Sequence, residues 1–234
     1  MEKIQQRVLL FDIDGTLLDA VGEGSACFGR ALTDVYGTSG PVDTYDMTGK
    51  TDWQILTDLM QIEGISLEVI EARRLEAFTA YAHHFEMTAP NLEIKIFPGV
   101  TPLLDGLKGD PRFILGLVTG NVREAVPHKL RAVGLDPGIF TFGAFGSDHP
   151  DRNALPGLAL NRLGQMEGVS FPAESTLVIG DTPRDIHCAR YAGMKVMCVT
   201  TGQYDRITLA GYHPDYLLED LSDTDSVMDI LLHF

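Results

Sequence analysis

Val8-Leu9-Leu10-Phe11-Asp12-Ile13-Asp14-Gly15-Thr16-Leu17 is the stretch that decides the fold. An unbroken apolar run of this kind reads as a strand covered on both faces, as in the interior of a parallel sheet. The run ends in two carboxylates and a glycine turn. Side chains alternate along a strand, so Asp12 and Asp14 start out on the same side. Like charges brought that close repel unless a cation sits between them or one takes up a proton. The pair therefore points to a hard cation, a shared proton, or both. Ordinary turn chemistry competes with this reading, because Asp-Gly closes many turns and Asp often caps the next helix. An EF-hand calcium loop fits poorly, since it needs a preceding helix and a later glycine.

Outward from this strand, short apolar runs recur at Phe113–Thr119, Ile139–Phe145, Thr176–Gly180, Val196–Thr200 and Tyr216–Leu218. Helical patterns fall between them, at Pro102–Lys108, Glu124–Val133, Leu155–Glu167 and Asp185–Ala192. This alternation predicts an α/β fold with a doubly wound parallel sheet. Residues 20–95 break the rhythm: Ser25–Tyr36, Asp52–Gln61 and Leu67–Phe85 read as helices, with no strand among them. The expected organisation is a core domain of residues 1–19 and 96–234, with a smaller α-helical cap of residues 20–95 inserted. Such an insert would cover the carboxyl ends of the strands, where open α/β sheets bind ligands.

Composition narrows the partners. The chain has 234 residues, 44% apolar and 22% charged, an ordinary globular mix. Its formal net charge is -15, from 33 acidic and 18 basic side chains. That balance repels nucleic acid and anionic lipid, so neither is an expected partner, and any phosphate-bearing substrate needs local positive charge. Part of the excess lies in the tail, at Asp215, Glu219, Asp220, Asp223, Asp225 and Asp229, read as solvated surface. Cys27, Cys188 and Cys198 are odd in number and lack metal-ligand spacing, so they read as reduced, buried thiols. Met1 to Arg7 has no signal-peptide shape, and no apolar run reaches membrane-spanning length. The expectation is a soluble cytoplasmic protein, monomer or homodimer.

Three further strand ends carry polar chemistry. Thr119-Gly120-Asn121 offers a hydroxyl, a flexible glycine and backbone N–H groups, an anion cradle or a plain helix cap. Asp181-Thr182-Pro183-Arg184-Asp185 brings two more carboxylates, of which a cap explains only one. Three or four carboxylates on one sheet edge, with no His/Cys cluster, supply hard oxygen ligands in the manner of Mg²⁺. Arg152, near a helix start after the run ending at Phe145, is a cation suited to phosphoryl oxygens.

Taken together, these residues resemble the haloacid dehalogenase superfamily, in its phosphoglycolate-phosphatase-like branch with a helical cap. Asp12-Ile13-Asp14-Gly15-Thr16 is similar to the family's first motif, Thr119-Gly120-Asn121 to its second, and Gly180-Asp181-Thr182-Pro183-Arg184-Asp185 to its fourth. The third motif usually supplies a lysine; none lies between Lys129 and Lys195, and Arg152 is the best substitute. The resemblance implies a Mg²⁺-dependent phosphatase acting on a small phosphorylated metabolite. In it Asp12 would be the nucleophile, forming an aspartyl-phosphate, and Asp14 the acid and base. Mg²⁺ would lie between the Asp12 carboxylate, the Asp14 backbone carbonyl and Asp181, with Asp185 behind them or as an alternative ligand. Thr119, Gly120, Asn121 and Arg152 would hold the phosphoryl oxygens. The family's dehalogenases lack the second aspartate and its ion pumps carry threonine there, so Asp14 implies phosphoryl transfer to water.

The cap should set specificity. Within Thr48-Gly49-Lys50-Thr51-Asp52-Trp53, Lys50 either reaches down to a substrate carboxylate or stands in solvent beside a helix capped by Thr51 or Asp52. A phosphonatase using Lys50 as a Schiff base and a sugar phosphomutase share the motifs. A non-catalytic, receiver-like phosphate-binding module is the alternative from another class, against which the large insert and second acidic motif speak.

Overall fold

The computed structural model describes residues 6–20, 22–89 and 93–234; most of the segment weighed as a signal peptide, residues 1–5, lies outside them. β1 (Arg7–Phe11) is followed by a short β2 (Leu18–Asp19), which pairs antiparallel with β3 (Lys95–Ile96). Between β2 and β3 come α1 (Glu23–Tyr36), α2 (Asp52–Ile62) and α3 (Leu67–Thr88). The later strands are β4 (Phe113–Val118), β5 (Phe142–Ala144), β6 (Thr176–Gly180), β7 (Lys195–Val199) and β8 (Tyr216–Leu218). They join β1 in one parallel sheet, ordered β5-β4-β1-β6-β7-β8. The chain runs outward from β1 to one edge and then returns to build the other. The order therefore reverses between β1 and β6, the switch point at which such sheets open a crevice.

The apolar runs of β1, β4, β6 and β7 are unbroken because each of these strands feeds two cores. Leu9 and Phe11 enter a cluster with Leu103, Leu177 and Leu231, while Val8 and Leu10 enter another with Leu155, Ala159 and Ile186. α4 (Val100–Leu107) and α9 (Thr224–His233) serve the first face; α6 (Leu155–Glu167) and α7 (Pro183–Tyr191) serve the second. Truncating Leu9, fully buried here, to alanine would cost about 2–5 kcal/mol. The helical insert has its own core of Phe28, Leu32, Leu56, Leu59, Phe78 and Phe85, joined by Val122 and Ala125 from the loop after β4. All three cysteines are buried and unpaired, and among the described residues no helix is long and apolar enough to cross a membrane.

Several boundaries differ from expectation for local reasons. The strand expected over Ile139–Phe145 shortens to β5 because Pro137–Ile139 winds into a 3₁₀ turn, with Asp136 accepting from Gly138 N. α5 (Val126–Ala132) starts later than Glu124, with Pro127 in its first turn. α7 starts two residues before Asp185, because Thr182 and Asp185 form a reciprocal capping box. β2 and β3 are too short for any periodicity, and α8 (Arg206–Gly211) and α9 went unread. The acidic tail is not all solvated surface: Asp223 caps α9, and Asp215 accepts from Val196 N at 2.8 Å.

Candidate active site

Adjacent strands bring the carboxylates together. β1 and β6 run side by side with Phe11 opposite Ile179, and Asp12 N donates to Ile179 O at 2.9 Å. Asp12 and Asp181 therefore emerge as neighbours just past the strand ends. With Asp185, from the first turn of α7, they form a buried triad in which one carboxylate oxygen from each lies within 4.8 Å of the others. Gly15 takes φ +87°, and a Cβ there would stand 2.2 Å from the Asp181 carboxylate. Glycine is thus required both for the turn and for the close approach.

Burial pushes the Asp12 carboxyl up to about 6, although the Arg152 guanidinium pulls the other way. Asp181 is pushed well above the usual carboxylate range, first by burial and then by the charges of Asp185 and Asp12. Among the described residues, three buried carboxylates crowded this way suit a hard divalent cation bound through oxygen. Asp185 differs from the other two. Its Oδ2 accepts from Thr182 N at 3.0 Å and Thr182 Oγ1 at 2.7 Å, while Oδ1 accepts from Arg152. Asp181 Oδ1 accepts from Thr16 Oγ1 at 3.0 Å.

Arg152 is itself buried and donates from Nη2 to Asp12 Oδ2 at 2.9 Å as well as to Asp185. Burial penalises its charge, but Asp185 and Asp12 outweigh that and hold it protonated. Gly120 lies against the guanidinium: a Cβ there would be 3.2 Å from Arg152 Nη1 and 2.0 Å from the Lys50 carbonyl. Thr119, buried, accepts from Asn121 Nδ2 at 2.6 Å. Asp14 opens on the same cavity but onto other partners, accepting from Asn121 Nδ2 at 2.7 Å and Lys129 Nζ at 2.8 Å. β1 ends at Phe11, so the two carboxylates lie beyond the strand and need not share its alternation.

The cavity holds about 630 Å³ and is lined by core and insert together, Asp12, Thr119, Arg152 and Lys50 among them. Lys50 donates to Tyr45 Oη at 2.6 Å and lies 3.9 Å from that ring's centre, while Tyr45 donates to Asp58. Thr51 caps α2, accepting from Gln54 N at 3.2 Å, so the helix start and the cavity-lining lysine coexist. The insert is stitched to the core by Asp52 N donating to Gly120 O at 2.7 Å and Trp53 N to Gly146 O at 3.3 Å. The Asp52 carboxylate accepts from Val122 N at 2.7 Å. Burial raises that carboxyl to about 7, against the pull of Lys129 and the Val122 N–H.

Sequence reasoning passed over Lys129 and Asp52. Lys129 stands on α5 between Val126 and Leu130, both buried, so a charge within an apolar stripe was the one available signal. Asp52 gave none, because its acceptor role depends on a loop 70 residues away.

Known proteins share this architecture. The family model for haloacid dehalogenase-like hydrolases matches residues 9–199. The phosphoglycolate phosphatase of Vibrio cholerae is 30% identical over 217 residues, covering 92% of this chain and 93% of that one. The pyrophosphatase PpaX of Bacillus velezensis is 29% identical over 221 residues, covering 92% and 93%. The crystal structure of a hydrolase from Pseudomonas syringae has the same fold, with a TM-score of 0.70 at 24% identity over 97% of this chain and 99% of that one. The chain belongs to the haloacid dehalogenase-like hydrolases and is an enzyme of their phosphatase branch.

Proposed function

We propose that this phosphatase hydrolyses a small phosphomonoester, of which phosphoglycolate is the reference case, with Mg²⁺ at the Asp12–Asp181–Asp185 cluster. The observation that carries this reading is the buried acidic triad, two of whose members, Asp12 and Asp181, line one cavity together with Arg152 and the glycine-containing cradle. Asp12 attacks phosphorus and the ester oxygen departs, giving an aspartyl-phosphate. Asp14 gives that oxygen its proton, then takes one from the water that cleaves the acyl-phosphate. Arg152, Thr119, Asn121 and the backbone of Gly120 hold the phosphoryl oxygens as charge redistributes. Mg²⁺ would be held by Asp12, Asp181 and the Asp14 carbonyl, with Asp185 orienting Arg152, and supplies positive charge to the transferring group.

Residues 20–95 act as the cap domain in this reading, and Lys50 faces the part of the substrate that leaves. Charge and the absence of a membrane-length helix among the described residues support a small phosphorylated metabolite as partner rather than nucleic acid or lipid. A cytoplasmic place fits the buried free thiols, and we take the protein as monomer or homodimer. The test is a phosphate-release screen over phosphoglycolate, other small phosphoesters and pyrophosphate, with Mg²⁺, with chelator, and with D12N. Release that needs Mg²⁺ and vanishes in D12N supports the reading. Full activity in chelator or in D12N would sink it.

A further inference from the structure

We propose that Lys129 is a positioning residue that fixes the rotamer of Asp14, and through it the orientation of the acid–base step. The inference rests on the phosphatase reading above and goes beyond it, because Lys129 belongs to none of the motifs that carry that reading. Its Nζ donates to Asp14 Oδ2 at 2.8 Å, to Asp14 Oδ1 at 3.1 Å, and to Asn121 Oδ1. An ammonium has three N–H donors, and three acceptors surround this one, so none is left for substrate. Lys129 is 3% exposed. The insert closes over it: the Phe85 ring centre lies 5.6 Å from Nζ, and a Cβ on Gly24 would lie 3.6 Å away. A lysine buried this deeply persists only where its charge is matched. Asp14 matches it at contact distance whenever it is ionised, and Asp52 is a second acidic group nearby.

The two shortest bonds, from Lys129 and Asn121, both fall on Asp14 Oδ2. Oδ1 keeps only the 3.1 Å contact and is the oxygen that exchanges the proton. As the phosphorus–oxygen bond of the ester breaks, the proton on Oδ1 passes to the departing oxygen. The carboxylate left behind later accepts a proton from the attacking water. Lys129 keeps its own protons throughout and acts only by holding the carboxylate in place.

The test is K129M, in wild-type and D14N backgrounds, on two substrates. Glycerol phosphate has an alkoxide leaving group that needs a proton; p-nitrophenyl phosphate releases a stable phenolate that does not. K129M should lower kcat/KM, which reports the steps up to formation of the aspartyl-phosphate, about 10–100-fold on glycerol phosphate, a share of what a general acid supplies, and far less on p-nitrophenyl phosphate. KM should move less than about threefold, and adding K129M to D14N should cost less than about twofold more. The ratio of the two rates in one preparation is independent of how much protein is folded. Should K129M give no folded protein, K129Q carries the same comparison. Equal losses on both substrates, additive losses in the double variant, or an unchanged rate would overturn the proposal while leaving the phosphatase reading intact. Wild-type protein inert toward both compounds and toward phosphoglycolate with Mg²⁺ would overturn both.

Discussion

Arg152 Nη2 donates to Asp12 Oδ2 at 2.9 Å, placing a buried guanidinium directly on the proposed nucleophile. The same nitrogen reaches Asp185, so one cation ties the end of β1 to the first turn of α7. R152A leaves two buried carboxylates without their counter-charge. It should lower phosphate release about 100–1,000-fold, the scale of losing one transition-state donor. It should also cost about 3–5 kcal/mol in urea unfolding of the metal-free protein, as for other buried pairs broken from one side. R152K restores a point charge without the planar fork, and its rate should fall between the two. An R152A enzyme with wild-type rate would refute the assignment.

Mg²⁺ should raise the thermal midpoint as well as the rate. Three buried carboxylates crowd one another in the folded chain and part on unfolding, so an ion bound only to the folded state stabilises it. At about 100 times its Kd the gain is roughly 2.7 kcal/mol. D181N should lose both the thermal response and the phosphate release. Calorimetry with and without chelator checks this, and a midpoint shift of equal size in D181N would count against the site.

Asp52 should make stability fall as pH rises. Burial raises its carboxyl in the folded chain to about 7, from an ordinary 3.8, so the folded state holds the extra proton between these values. The contribution is whole below about pH 4 and is lost as pH climbs through about 7, amounting to at most about 4 kcal/mol. D52N keeps an acceptor for Val122 N but cannot ionise. Urea unfolding at pH 5 and pH 8 should show a smaller pH dependence in D52N than in wild type. Identical slopes would contradict the raised carboxyl.

Lys50 should govern KM selectively. Lys50 lines the cavity, and its ammonium is held by Tyr45, which in turn is held by Asp58. K50M should raise KM for phosphoglycolate about 10-fold or more, the scale of one lost charged hydrogen bond, and leave KM for glycerol phosphate within about twofold. Y45F should give a smaller change in the same direction. Equal effects on both compounds would mean that the lysine does not meet a substrate carboxylate.

What could be read from the sequence was chemistry that follows directly on an apolar run. Asp12, Asp14, Thr119, Asn121 and Asp181 each stand within three residues of a strand end, so the strands announce them. The parallel sheet was legible for the same reason, since strands such as β6 are buried throughout. Arg152 was legible as a cation near a helix start against an acidic background, and the resemblance, with no third-motif lysine present, pointed to it again. Lys129 did not emerge, because its partners lie 8 and 115 residues away and meet only through tertiary packing. β2 and β3 were invisible on similar grounds: two residues carry no period, and their pairing spans the whole insert. Asp185 was legible as an acid, but its share in the capping box with Thr182 required the backbone geometry.

The amide of Asp52 is hydrogen-bonded to the carbonyl of Gly120, so the helical insert and the loop proposed to hold phosphate share one seam. In the proposed cycle, lifting the insert would strip that carbonyl of its partner and loosen the loop as inorganic phosphate departs. Gripping and letting go would thereby be mechanically linked through one peptide.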